Sequence, residues 1–285
     1  MIRKGVNMWT FPAGTSVREA IRQAKEAGFD GIELAFTVDG ELSEKTGEAE
    51  IRAIKAYAED LGIEIGGLAS AQYWNYTLSS NYESLRNKTK EFIKRHLETA
   101  ALLGVKCILV VGPNGGPDTG ENPDCPKKGE FRDYETAYQR ALDGLLELAP
   151  YAQAQGVAIG LENVWNAMFL SPLEMRNFID KVNSPFVGAY LDVGNMMLFS
   201  YPEQWIRVLG NRILMVHFKD FRRSVGNFDG FVDLLEGDVN FPACMAEFEA
   251  IGYDGWAFAE LGHYQTHPEL TARFASIAMD KILGR

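Results

Sequence analysis

Short apolar runs alternate along this chain with longer stretches in which apolar residues recur every three or four positions. The short runs fall near residues 4–9, 30–36, 63–69, 105–111, 157–162, 186–192, 212–218 and 255–260. Each has the length of a strand and is mostly apolar, which reads as a buried strand. Helical periodicity occupies the intervals near 16–27, 47–61, 82–103, 134–155, 172–182, 202–209, 239–251 and 267–283. Gly28, Gly62, Gly104, Gly156 and Gly252 stand between a helical stretch and the next apolar run, where a residue of unrestricted backbone stops a helix. The pattern predicts eight βα units. No Pro/Ser-rich linker divides the chain, so one domain over residues 1–285 is expected, an α/β fold closed as a (β/α)8 TIM barrel. An open doubly wound sheet shares the local pattern, and the strand count favours closure.

Four of the predicted strands end on a side chain able to hold a divalent metal: Glu162, Asp192, His217 and Glu260. A charged group at the end of a buried strand needs a partner. Singly, each has a plainer role: Glu162 capping a loop, Asp192 opening a turn at Gly194-Asn195, His217 pairing with Asp220. Jointly they sit on strands five to eight, whose C-terminal ends converge at the face where barrel enzymes do their chemistry. One metal ion at the barrel mouth satisfies all four. Three carboxylates and an imidazole suit Mn²⁺, Mg²⁺ or Co²⁺, and Zn²⁺ accepts the same donors.

Composition narrows the partners. The 285 residues carry 28 Lys plus Arg against 39 Asp plus Glu, a formal net charge of -11, which disfavours binding to nucleic acid or an acidic membrane. Cys107, Cys125 and Cys244 are odd in number and lack C-x-x-C spacing, so reduced thiols in a cytoplasmic protein are expected. The opening Met1-Ile2-Arg3-Lys4-Gly5 has no signal-peptide character, and no stretch approaches the ~20 apolar residues that span a bilayer.

The segments Leu161-Glu162-Asn163-Val164-Trp165-Asn166, Leu191-Asp192-Val193-Gly194-Asn195, Val216-His217-Phe218-Lys219-Asp220 and Ala259-Glu260-Leu261 carry a resemblance. The chain resembles the sugar-phosphate isomerase/epimerase group of the xylose-isomerase-like TIM barrels from its first strand to its last helix. The resemblance implies that Glu162, Asp192, His217 and Glu260 hold one divalent ion, commonly Mn²⁺, and that Glu162 and Glu260 also move the proton. The branches it looks most like are L-xylulose-5-phosphate 3-epimerase, hexulose-6-phosphate isomerase and the ketose 3-epimerases. Where the ketose 3-epimerases have a His three residues after the metal-binding Asp this chain has Asn195, and where they have a Glu six residues after the first Glu it has Met168. Recognition of substrate hydroxyls is expected to differ accordingly, with Asn195 a substrate contact.

The expected chemistry is that of a metal-dependent sugar isomerase or epimerase. A metal chelating the C2 carbonyl and C3 hydroxyl of a ketose stabilises the enediolate left when C3 loses its proton, and two glutamates flanking the sugar exchange that proton. Lys219, Arg222 and Arg223 follow His217 at the same rim and are candidates to hold a phosphate, which favours a ketose phosphate as substrate. Trp9, Trp74 and Trp165, with Phe36 and Tyr73, lie near strand ends and are candidates to wall the sugar in, although core packing is the plainer role for any one of them. Glu33 and His263 are candidates to support the ligands. Gly112-Pro113-Asn114-Gly115-Gly116 reads as a surface loop before a phosphate cradle, and Gly237-Asp238-Val239 as the cap of the next helix. Two other classes share this kind of barrel: dehydratases of inosose or dehydroshikimate, and apurinic endonucleases. The latter use a His-rich multi-zinc site, which four histidines (His96, His217, His263 and His267) and an acidic balance disfavour. A homo-oligomer is compatible with the sequence.

Overall fold

A computed structural model describes residues 1–116 and 131–285. In chain order it contains β1 (Arg3–Asn7), α1 (Val17–Glu26), β2 (Gly31–Ala35), α2 (Glu48–Leu61), β3 (Glu64–Ala69), α3 (Glu83–Leu103), β4 (Cys107–Val111) and α4 (Tyr134–Gln155). There follow β5 (Ala158–Glu162), α5 (Pro172–Val182), β6 (Val187–Asp192), α6 (Pro202–Leu209) and β7 (Ile213–Phe218). A short antiparallel ribbon, β8 (Asp220–Phe221) with β9 (Phe231–Val232), then precedes α7 (Phe241–Ala250), β10 (Trp256–Ala259) and α8 (Glu269–Ile282). The eight parallel strands close in the order β1-β10-β7-β6-β5-β4-β3-β2. The expected barrel is therefore the observed one, and the ribbon is an addition that periodicity did not reveal.

The apolar strands lie between two cores. Their outward side chains pack on the amphipathic helices, while the barrel interior is filled by Tyr190, Trp256 and Phe258, with Cys107, Leu109 and Met215 beside them. Trp256 and Phe258 stack at 5.4 Å between ring centroids. Space for them comes from glycines on the facing strands: a Cβ at Gly66 would come 2.5 Å from the Trp256 ring. A filled interior closes the bottom of the barrel and confines chemistry to its mouth.

Helix ends follow the sequence signals. Gly62, Gly104 and Gly156 are left-handed at φ 65°, 87° and 65° after α2, α3 and α4, returning the chain to a strand within two or three residues. The cap of α7 is Asn240, whose side chain accepts the amide of Ala243 at 3.1 Å. Asp238, the expected cap, instead accepts the amide of Arg223 at 2.8 Å, because the connection before α7 is pinned back onto the ribbon. Cys107 and Cys244 are buried free thiols, and Cys125 lies outside the described residues. Among the described residues no helix is long and apolar enough to cross a membrane.

Candidate functional site

The parallel register brings the four strand-end residues to one level. Asp192 pairs with His217 across β6 and β7, His217 pairs with Phe258 across β7 and β10, and Glu162 closes β5 beside Tyr190 of β6. Glu260 follows directly after β10, its amide donating to the Phe218 carbonyl at 3.1 Å. One ligand atom from each of Glu162, Asp192, His217 and Glu260 lies within 4.8 Å of the others. His217 Nδ1 stands 2.7 Å from Glu260 Oε2, 3.5 Å from Glu162 Oε1 and 3.9 Å from Asp192 Oδ2.

Each ligand is held from behind. Asp192 Oδ1 accepts the amides of Gly194 and Asn195, both at 2.8 Å, so the expected turn is real and leaves Oδ2 for the cage. Asn163 ties β5 to β6 by donating to the Asp192 carbonyl at 2.9 Å and accepting its amide at 2.8 Å. His217 Nε2 faces Glu33 Oε2 at 2.6 Å, and Glu33 is fully buried. Glu33 also accepts Asn7 Nδ2 at 2.5 Å and the Tyr190 hydroxyl. A carboxylate on the far nitrogen fixes the imidazole so that, when neutral, its Nδ1 lone pair points at the cage. His217 makes no pair with Asp220.

The donor set fits a divalent cation. Asp192 Oδ2, His217 Nδ1 and Glu260 Oε2 are buried and have no hydrogen-bond partner of sound geometry, an expensive arrangement unless a further charge completes it. In the protein alone the balancing charges are two cations. Burial disfavours a charged His217, yet the Glu33 and Glu260 carboxylates hold its pKa well above the ordinary value. Burial likewise opposes the Lys219 ammonium, and Asp192, Glu260 and Glu162 outweigh it to raise its pKa. Among the acids, burial pushes Glu162 and Asp192 up. Glu260 is pushed the same way by burial, but Lys219 and His217 bring it down to about 2.

Lys219 is thus directed inward. Its Nζ lies 3.0 Å from Glu260 Oε2, 3.1 Å from Asp192 Oδ2 and 4.0 Å from Glu162 Oε1. Gly194 permits this, since a Cβ there would come 2.6 Å from Lys219 Cβ. The three expected phosphate cations do not converge. Arg222 does not line the cavity and donates to the Glu236 carbonyl at 3.0 Å, and Arg223 lies over the Tyr201 ring at 4.6 Å. The cause is Asp220, whose carboxylate accepts the amides of Phe221, Leu235, Gly237 and Val239 at 2.8–3.1 Å and folds the following segment back on itself. A Cβ at Gly237 would run into Asp220 Oδ1. Gly237→Ala is therefore expected to expel that carboxylate and lower stability by roughly 2 kcal/mol or more, read as a fall in denaturation midpoint. An unchanged midpoint would rule out this role for Asp220.

A cavity of about 560 Å³ opens above the cage. Glu162, Glu260, Asn195 and Lys219 line it, and so do Trp9, Trp74 and Trp165, whereas Asp192 and His217 lie behind its floor. Trp9 reaches it from a short helical turn that Asn7 caps at 2.7 Å. Trp165 donates to the Asn195 carbonyl at 2.6 Å and packs against Phe228 and Phe231 at 5.0 and 5.3 Å. Asn195 itself donates to Asn163 O at 2.9 Å and approaches Glu162 Oε1 at 3.3 Å. His263 lines the cavity too, but Phe36 and Tyr73 are core residues, packed with Phe92 and His96. Met168 is buried away from it. The Gly112–Gly116 loop is packed rather than superficial, and three of its amides are already used: Gly115 donates to Asn166 O, Asn114 to Ser79 Oγ and Gly116 to Asn114 Oδ1. Asn7, Tyr190 and Asp233 join the site without any sequence signal of their own, and Asn163 had only its place beside Glu162; Asn7 ends β1 level with Glu33 of β2.

Residues 21–279 match the xylose isomerase-like TIM barrel family. The L-ribulose-5-phosphate 3-epimerase UlaE of Salmonella paratyphi C is 24% identical over 262 residues, covering 88% of this chain and 84% of that protein. Among solved structures, D-psicose 3-epimerase in the presence of D-fructose superposes with a TM-score of 0.80 at 20% identity, covering 100% of both chains. The 3-keto-D-glucoside 4-epimerase YcjR of E. coli superposes at 0.76 with 19% identity, again over 100% of both chains. At such identities the structural likeness speaks to the fold.

Proposed function

The chain belongs to the xylose isomerase-like TIM barrel family, and from that membership and its site we propose a divalent-metal-dependent epimerase of a sugar or sugar phosphate, acting as a single domain. The supporting observation is the division of labour within the cage. Strand order places β5 and β10 at the two ends of the arc β10-β7-β6-β5, and only their glutamates, Glu162 and Glu260, line the cavity. Asp192 and His217, between and behind them, act as anchors. A divalent ion held by these four residues would supply Lewis acidity towards a ketose carbonyl and its neighbouring hydroxyl. One glutamate removes the proton from the carbon on its side, and the other returns a proton to the opposite face. Because epimerisation is reversible, each serves as base in one direction and acid in the other. Trp9, Trp74 and Trp165 hold the sugar and exclude water, and Mn²⁺ suits the hard, mostly carboxylate donors.

The test is proton NMR of ketoses and their phosphates in D₂O with Mn²⁺-loaded protein. Deuterium is expected to enter at C3, to stop entering on chelation and to resume on adding Mn²⁺ back. Exchange confined to C1 would make the protein an aldose–ketose isomerase, and loss of the sugar signal to an enone a dehydratase. Exchange that survives chelation would remove the metal from the reading.

A further inference from the structure

The cavity that holds the reacting carbons must also recognise the rest of the substrate. Its lining carries four carboxylates, Glu162, Asp220, Asp233 and Glu260, against one permanently cationic side chain among the described residues, Lys219. That cation is already committed, with three carboxylates at 3.0–4.0 Å. A divalent ion in the cage would bring the three ligand carboxylates, Lys219 and itself to neutrality. Asp220 and Asp233 lie outside the cage and keep their charges, but Asp220 is taken up by four backbone amides, which leaves Asp233 as the lining carboxylate free to meet a ligand. Its Oδ2 accepts the Tyr264 hydroxyl, and its other oxygen has no protein partner among the described residues.

Asp233 stands directly after β9, on the same ribbon that carries Phe231 into the aromatic wall with Trp165 and Phe228. Phe228, 72% exposed, carries that aromatic wall out to the edge of the cavity. Ring faces that meet the C–H faces of a sugar, beside a carboxylate able to accept from its hydroxyls, form a surface complementary to an uncharged polyol. The same surface opposes a dianion, since like charge placed opposite like charge selects against a partner. Arg222 and Arg223, the cations the sequence offers nearby, are turned to Glu236 and Tyr201.

We propose that this site takes an unphosphorylated sugar, with Asp233 as the residue that binds its hydroxyls and rejects the phosphate ester. The proposal rests on the sugar-epimerase reading for the identity of the site. It is tested by isothermal titration calorimetry of the metal-loaded protein with D-fructose and D-fructose 6-phosphate, and with L-ribulose and L-ribulose 5-phosphate. At least one free sugar is expected to bind about 10-fold or more tightly than its ester. Asp233→Asn is expected to bring that ratio to about 3-fold or less. Tyr264→Phe, which removes the hydroxyl on Asp233 but no charge, is expected to leave the ratio as it is. Esters that bind as well as or better than the sugars would overturn the proposal, as would binding of neither. A ratio untouched in a folded Asp233→Asn variant would remove Asp233 from it. Selective binding of the free sugar without C3 exchange would instead defeat the epimerase reading and leave the selectivity standing.

Discussion

Glu162→Gln and Glu260→Gln are each expected to lower kcat by about 100-fold or more while leaving a folded protein. Glutamine keeps the shape and one oxygen donor but cannot take up a proton at neutral pH. The loss should therefore fall on proton transfer more than on assembly of the site. Both residues line the cavity, and they reach it from β5 and from the end of β10, on opposite sides of the buried pair Asp192 and His217. Asp192→Asn and His217→Ala provide the contrast. Neither side chain lines the cavity, so their replacement should act through metal affinity, and raising the Mn²⁺ concentration should recover much of the activity of Asp192→Asn. Steady-state kinetics across a metal titration separates the two cases. Full recovery of both glutamine variants by excess Mn²⁺ would show that the glutamates serve only as ligands.

The barrel was legible because its signals are local and repeated. The barrel strands are mostly apolar and buried from both sides, and helices such as α2, α3 and α4 end on a left-handed glycine. Strand-end position likewise exposed Glu162, Asp192, His217 and Glu260, since a barrel gathers the C-terminal ends of neighbouring strands. Lys219 is two residues beyond His217 and so projects to the same side, into the cage rather than out to the rim. Beyond Asp220 no such rule operates. Arg222, Arg223 and Asp238 are directed by one carboxylate gathering amides as far along the chain as Val239. Such a loop is set by tertiary hydrogen bonds, and charge clustering in sequence does not predict where its side chains point. The same holds for the Gly112–Gly116 loop, whose composition resembles a surface turn but whose amides are taken by Ser79 and Asn166.

Glu33 is the second position where a single change should have a large effect, although it lies outside the cavity. Its carboxylate is fully buried and joins three elements: Asn7 of β1, Tyr190 of β6 and His217 of β7. Glu33→Ala would leave an imidazole, a phenol and an amide without their shared acceptor in the barrel interior. It is expected to cost about 3 kcal/mol or more of stability, seen as a drop in Tm. Glu33→Gln isolates the electrostatic part. The carbonyl oxygen can still accept from His217, but the negative charge that makes the ring a better donor to a metal is gone. Metal affinity is expected to fall by about 10- to 100-fold with a much smaller change in Tm. Calorimetric Mn²⁺ titration of the Glu33→Gln protein decides the matter. Affinity equal to that of the unsubstituted protein would mean that Glu33 merely fills space beneath the barrel mouth, and that His217 needs no carboxylate behind it to serve as a ligand.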